Sequence, residues 1–166
     1  MSTIPISELL DSFFILLTEA YAGPPDPSST WFIDNEPDSG ILGTLKNVSA
    51  AEASHSMDGK GGSGSTIASH AEHLRWSLAQ SNAAMRGEPF GNWGESWQIV
   101  QVDPVEWDLL RDNLRAEFET LSKTMPEQSG ELVGDTLTGV LALLPHAAFH
   151  LGILRQMVER VKERGE

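Results

Sequence analysis

Apolar side chains recur at helical spacing in four segments of the chain. In the first, Leu10, Phe13, Phe14, Leu17 and Tyr21 share one face, and Gly23-Pro24-Pro25 with Pro27 ends it. The second starts near Thr66, a good N-cap residue, and runs to about Arg86 with Ile67, His70, Ala71, Leu74 and Leu78 in one stripe. Asp103-Pro104 supplies an N-cap and a first helical residue for the third. Its buried face carries Leu110, Leu114, Phe118, Leu121 and Met125. The fourth extends from about Glu131 to Lys162. Between Val140 and Leu154 it is apolar almost all round, which predicts the most buried element. A weak alternation over Trp97 to Val102 is the only strand-like pattern.

The connections are read from their punctuation. A Pro/Asp/Ser-rich stretch reaches about Gly40, and Ile41, Leu42, Leu45 and Val48 then predict one or two helical turns. The run Asp58-Gly59-Lys60-Gly61-Gly62-Ser63-Gly64-Ser65-Thr66 lacks the Gly-Lys-Ser/Thr order and the preceding strand of a phosphate loop, so it reads as a linker ending in an N-cap. A loop with Pro89, Phe90, Trp93 and Trp97 joins the second and third helices. The pattern predicts an all-α four-helix bundle, residues 1–166 as a single domain. The long connection between the first two long helices leaves them free to run parallel.

Composition narrows the function. The chain has 166 residues, 40% hydrophobic, with five Trp, which excludes disorder. Its 11 Lys and Arg against 24 Asp and Glu give a formal charge of −13, so the basic footprint of a nucleic-acid binder is missing and anionic membranes are disfavoured. Without cysteine there is no disulfide, zinc ribbon, thiol nucleophile or iron–sulfur cluster. Ile4 to Tyr21 carries Glu8, Asp11 and Glu19 with no basic residue before it, the pattern of a core helix rather than a secretory signal. No apolar run is expected to reach the ~18 residues of a membrane span. These readings make the cytoplasm the expected compartment.

The five histidines carry the chemistry. His146 and His150 are spaced i, i+4 on a stripe with Leu143, Ile153 and Met157, so both rings leave one core-facing side of the helix. His70 lies in the second helix's apolar stripe. Three imidazoles from two inward stripes can converge on one metal ion, with open positions for chemistry. The alternative is a set of hydrogen-bonded core histidines. The zincin motif is absent, since Ala147 follows His146, and the di-iron Glu-x-x-His pattern occurs once, at Glu52 and His55, where it reads as chance.

The segments Ile67-Ala68-Ser69-His70-Ala71-Glu72-His73-Leu74 and Leu144-Pro145-His146-Ala147-Ala148-Phe149-His150-Leu151-Gly152-Ile153-Leu154-Arg155-Gln156 resemble the DinB-like (YfiT-like) metalloenzymes, as does the Trp93, Trp97, Trp107 region. The resemblance implies a bundle holding a divalent transition metal, nickel or zinc, on His70, His146 and His150. It implies a small-molecule substrate, with a low-molecular-weight thiol as a candidate partner, since relatives include thiol-dependent S-transferases and a mycothiol-dependent isomerase. A homodimer is compatible with it.

Two features depart from that pattern. Pro145 either kinks the fourth helix or begins a new one. His73, one turn from His70, competes with it as ligand, outer partner or proton shuttle; His70 is preferred. Glu72 and Arg155 read as surface groups, Arg75 as a weak candidate for a substrate role, and Trp93 and Trp97 as a lid or an end cover. The resulting function is a metal-dependent thiol transferase or hydrolase, with a non-catalytic metal- or ligand-binding bundle as the alternative.

Overall fold

The computed structural model describes residues 4–126 and 134–164. They form α1 (Ile6–Ala22), α2 (Ile41–Thr44), α3 (Ala50–Ala53), α4 (Ile67–Met85), a 3-10 turn (Trp93–Trp97), α5 (Pro104–Thr124) and α6 (Gly134–Arg164). The fold is all-α. Among the described residues Trp97 to Val102 forms no strand, and the expected start of the fourth helix at Glu131 lies outside them.

The helix starts follow their capping chemistry. Thr66 Oγ1 accepts the Ser69 amide at 3.1 Å and opens α4. Asp103 accepts the amides of Val105 and Glu106 at 2.8 and 2.9 Å. Glu106 returns the favour to the Asp103 amide at 2.9 Å, closing a capping box in front of Pro104. In α3, Glu52 closes another box with Ser49 and pairs with Lys162 at 2.8 Å, which accounts for that carboxylate without a metal.

Contacts between helices fix their directions. Glu72 and Arg75 share a cavity with Glu106, Leu110 and Asn113, and Asn82 donates to the Glu117 carbonyl at 3.0 Å, so α4 and α5 run parallel. His70 meets His150 and His73 meets His146, so α6 runs antiparallel to α4. A chain that leaves α4 and starts a parallel α5 must travel back along α4. Residues 86–103 do so: Phe90 and Trp93 lie on Trp76, and Trp97 stacks on His73.

Covered by α5, α6 and this returning segment, α4 is buried continuously from Ile67 to Leu74. It is therefore α4, and not α6, that is buried most thoroughly. The apolar girth of α6 is instead partly exposed, at Leu141, Ala142, Pro145, Phe149 and Gly152. By length and composition α6 is also apolar enough to cross a membrane, with mean hydropathy 1.7 over an 18-residue window, which corrects the expectation that no run would be. Here Val140, Leu143, Ala147, Leu151 and Leu154 enter the common core with α1, α4 and α5. Pro145 sits inside the continuous helix and starts no new one. The carbonyl it leaves without a helical donor belongs to Leu141, on the exposed side where water can serve it.

Candidate metal centre

Four of the five histidines meet between α4 and α6. His73 Nε2 lies 2.9 Å from His146 Nε2, and His70 Nδ1 lies 2.9 Å from His150 Nδ1. One ring nitrogen from each of His73, His146 and His150 falls within 4.8 Å of the others, a grouping able to hold a metal ion. Tetrahedral zinc–imidazole bonds of about 2.0–2.1 Å place two ligand nitrogens roughly 3.3–3.4 Å apart, so an ion binding here would part the 2.9 Å His73–His146 pair and draw the three nitrogens to a common spacing. His55 stands apart and faces Arg164 at 2.6 Å.

The outer hydrogen bonds determine where each lone pair points. Ser96 donates its hydroxyl proton to the Trp93 carbonyl at 2.7 Å, so its oxygen accepts from His73 Nδ1, also at 2.7 Å. That leaves His73 Nε2 unprotonated and directed at His146. His70 Nε2 donates to the Gly64 carbonyl at 3.0 Å, so His70 Nδ1 is the acceptor for a proton on His150 Nδ1. His150 then keeps its Nε2 lone pair. In this network His146 donates to His73; binding a metal would require that proton to move to the ring's other nitrogen, or to leave.

The sequence reading gave the α4 ligand to His70. The converging group instead takes His73, and His70 serves as the hydrogen-bond acceptor that orients His150. Both histidines are buried, so an apolar stripe alone does not separate them. What separates them is the returning segment, whose Ser96 and Trp97 seat His73, and the glycine-rich stretch, whose Gly64 binds His70. Gly64 also has its amide on Ser69 Oγ at 2.9 Å, and its φ is +74°. The end of that stretch is thus part of the site rather than a free linker.

Aromatic rings enclose the cluster. Trp97 stacks on His73 at 3.9 Å between centroids and 17° between planes, and meets His70 edge-on at 5.4 Å. Trp93 approaches His73 and His146 at 5.6 and 6.1 Å, and Phe149 touches His150 edge-on. Burial among these rings disfavours imidazolium. The His73 pKa is pushed down to about 4 by burial first, then by His146 and His70. The His150 pKa falls to about 3, again chiefly by burial, then by its three histidine neighbours. Those of His70 and His146 are lowered too, by burial. Neutral imidazole is the form that ligates metals, and these rings hold it well below pH 7.

The other candidates have structural partners. Glu72, expected to be solvated, is buried and forms a two-pronged pair with Arg75 at 2.7 Å per contact. Arg155 pairs with Asp34 at 2.6 Å, as a surface group should. Comparison with family models, curated proteins and solved structures returns no match.

Proposed function

We propose that the chain is a metal-dependent enzyme of the thiol-transferase or hydrolase type, holding one divalent transition ion, nickel or zinc, on His73, His146 and His150. The observation that carries this reading is the convergence of three neutral imidazoles, two of which have their far nitrogens bound to Ser96 and His70. Ligand histidines elsewhere have such partners, which fix the tautomer and raise ligand basicity. The likeness of the His146-to-Gln156 stretch to the DinB-like motif supports the same reading. Bound there, the ion supplies Lewis acidity, lowering the pKa of a water or small thiol. The protein holds the ligands neutral, excludes water with Trp93 and Trp97, and presents His146, only half-buried, toward an adjoining cavity.

A second reading, a metal- or ligand-binding bundle without turnover, is favoured by one feature. Among the described residues no carboxylate joins the three histidines to act as general acid or base. Metal analysis of tag-free protein tests the shared premise, with about one divalent ion per chain expected. Absence of metal, with no uptake of added nickel or zinc, overturns both readings. Thiol-dependent turnover in a panel of electrophiles separates enzyme from binder.

A further inference from the structure

A cavity of about 280 Å³ opens beside the metal centre, with His146 as part of its lining. Phe90 and Trp93 of the returning segment form one wall, and Ala142 and Leu143 of α6 another. Ser81, Phe90, Gly139 and Leu143 also line a neighbouring cavity of about 380 Å³, so the two form one groove along the α4–α6 seam. Ligand pockets commonly occupy ~300–1,000 Å³, with apolar walls and few polar groups. The combined groove meets that size.

Its electrostatics restrict the occupant. Among the described residues no charged side chain lines the part at His146, and the first to appear, in the neighbouring part, is the acidic Asp135. Hydroxyls of Ser77 and Ser81 are the polar side chains beside the histidine, and the Ser81 hydroxyl already donates to the Ser77 carbonyl at 2.9 Å. With no cation on the lining among the described residues and a net charge of −13, a carboxylate or phosphate entering here would lose hydration without a partner. Phe90 and Trp93, each 48% exposed, offer ring surface to an apolar chain instead. Gly139 keeps the floor open, because a Cβ there would meet nothing within 4 Å.

We propose that this groove seats the uncharged apolar tail of a small substrate, whose reacting head lies at His146. This rests on the metal-centre reading above and adds the substrate class. The test uses the protein loaded with cobalt(II), whose visible spectrum reports ligation of a head group, and three hydroxamate probes. Acetohydroxamic acid has a head and no tail, octanohydroxamic acid has an apolar tail, and suberic acid monohydroxamate has a tail ending in a carboxylate. A fully buried methylene tightens binding by about fourfold. The octanoyl probe is expected to bind at least ~100-fold more tightly than the acetyl probe, and the terminal carboxylate to remove most of that gain. Gly139→Leu, filling the groove, should weaken the octanoyl probe while leaving cobalt and acetohydroxamate affinities unchanged. Equal affinity for the three probes, or indifference to Gly139→Leu, overturns the proposal while the metal reading stands. If cobalt does not bind, the metal reading falls by itself. The groove is then judged with the neutral fluorophore N-phenyl-1-naphthylamine: enhancement lost in Gly139→Leu supports the apolar seat, and no enhancement in the parent protein overturns it.

Discussion

The Ser96 hydroxyl decides which nitrogen of His73 faces the metal centre. Because its proton goes to the Trp93 carbonyl, only the oxygen lone pairs are left for His73 Nδ1. Ser96→Ala removes that acceptor and leaves the His73 tautomer unfixed. Loss of such an outer partner typically costs ~10–100-fold in metal affinity, and competition titration with a zinc indicator should show a fall of that size. His70→Ala, which deprives His150 of its acceptor, should fall in the same range, whereas His73→Ala should lose far more. The opposite ranking of His70 and His73 would return the ligand role to His70. At this scale the sequence was half legible. The i, i+4 spacing placed His146 and His150 together because both rings ride on one helix. His70 and His73 differ through Gly64, just ahead of the α4 N-cap, and Ser96, in the returning segment, contacts outside α4 that no spacing within it encodes.

Helix ends were the most legible elements, since a cap is a local bargain between neighbouring residues. Thr66 and Asp103-Pro104 cap where their side chains indicate. Asp103→Ala leaves two amides of α5 without their acceptor and should cost about 0.5–2 kcal/mol in urea unfolding. Burial was less legible: α6 is the more apolar helix, yet α4 is the more enclosed, because the parallel α4–α5 pair sends residues 86–103 back over it. Two glycines test the packing in opposite directions. A Cβ on Gly40 would lie 2.5 Å from the Gly23 amide nitrogen and 2.6 Å from the Tyr21 carbonyl, backbone that cannot swing aside. Gly40→Ala should therefore destabilise by about 1–3 kcal/mol, the usual range for overpacking. Gly139 is helical, exposed and uncrowded, so Gly139→Ala should stabilise by up to ~1 kcal/mol through helix propensity. Thermal or urea unfolding of the pair showing shifts of the same sign would contradict this account of the two sites.

Across the whole molecule, an acidic surface surrounds a centre built from neutral bases. The net charge of −13 draws cations toward the protein, while burial keeps the four imidazoles unprotonated and ready to ligate. The same arrangement makes the metal-free fold sensitive to mild acid. An unfolded histidine takes up its proton near pH 6.5, whereas folded His73 and His150 resist it until about pH 4 and about pH 3. Between those limits the unfolded chain binds more protons than the native one, so stability drops as pH falls. The contribution is complete above pH 6.5 and disappears as the pH passes through the folded values. Carboxylates interfere little at first, because in the unfolded chain they titrate near 4. Even Glu52, held down to about 2 by Lys162 and Ser49, adds its own loss only below that point. The interval from pH 6.5 to about 5 therefore isolates the histidines. With a chelator present, the urea midpoint should decline steadily across it. With saturating zinc at pH 7.5 the midpoint should rise, reflecting about 2.7 kcal/mol of added stability when free metal is a hundred times its dissociation constant. His150→Leu should make the acid decline shallower, since it removes one strongly depressed imidazole from the native cluster. An unchanged slope in that variant would assign the acid sensitivity to groups outside the centre.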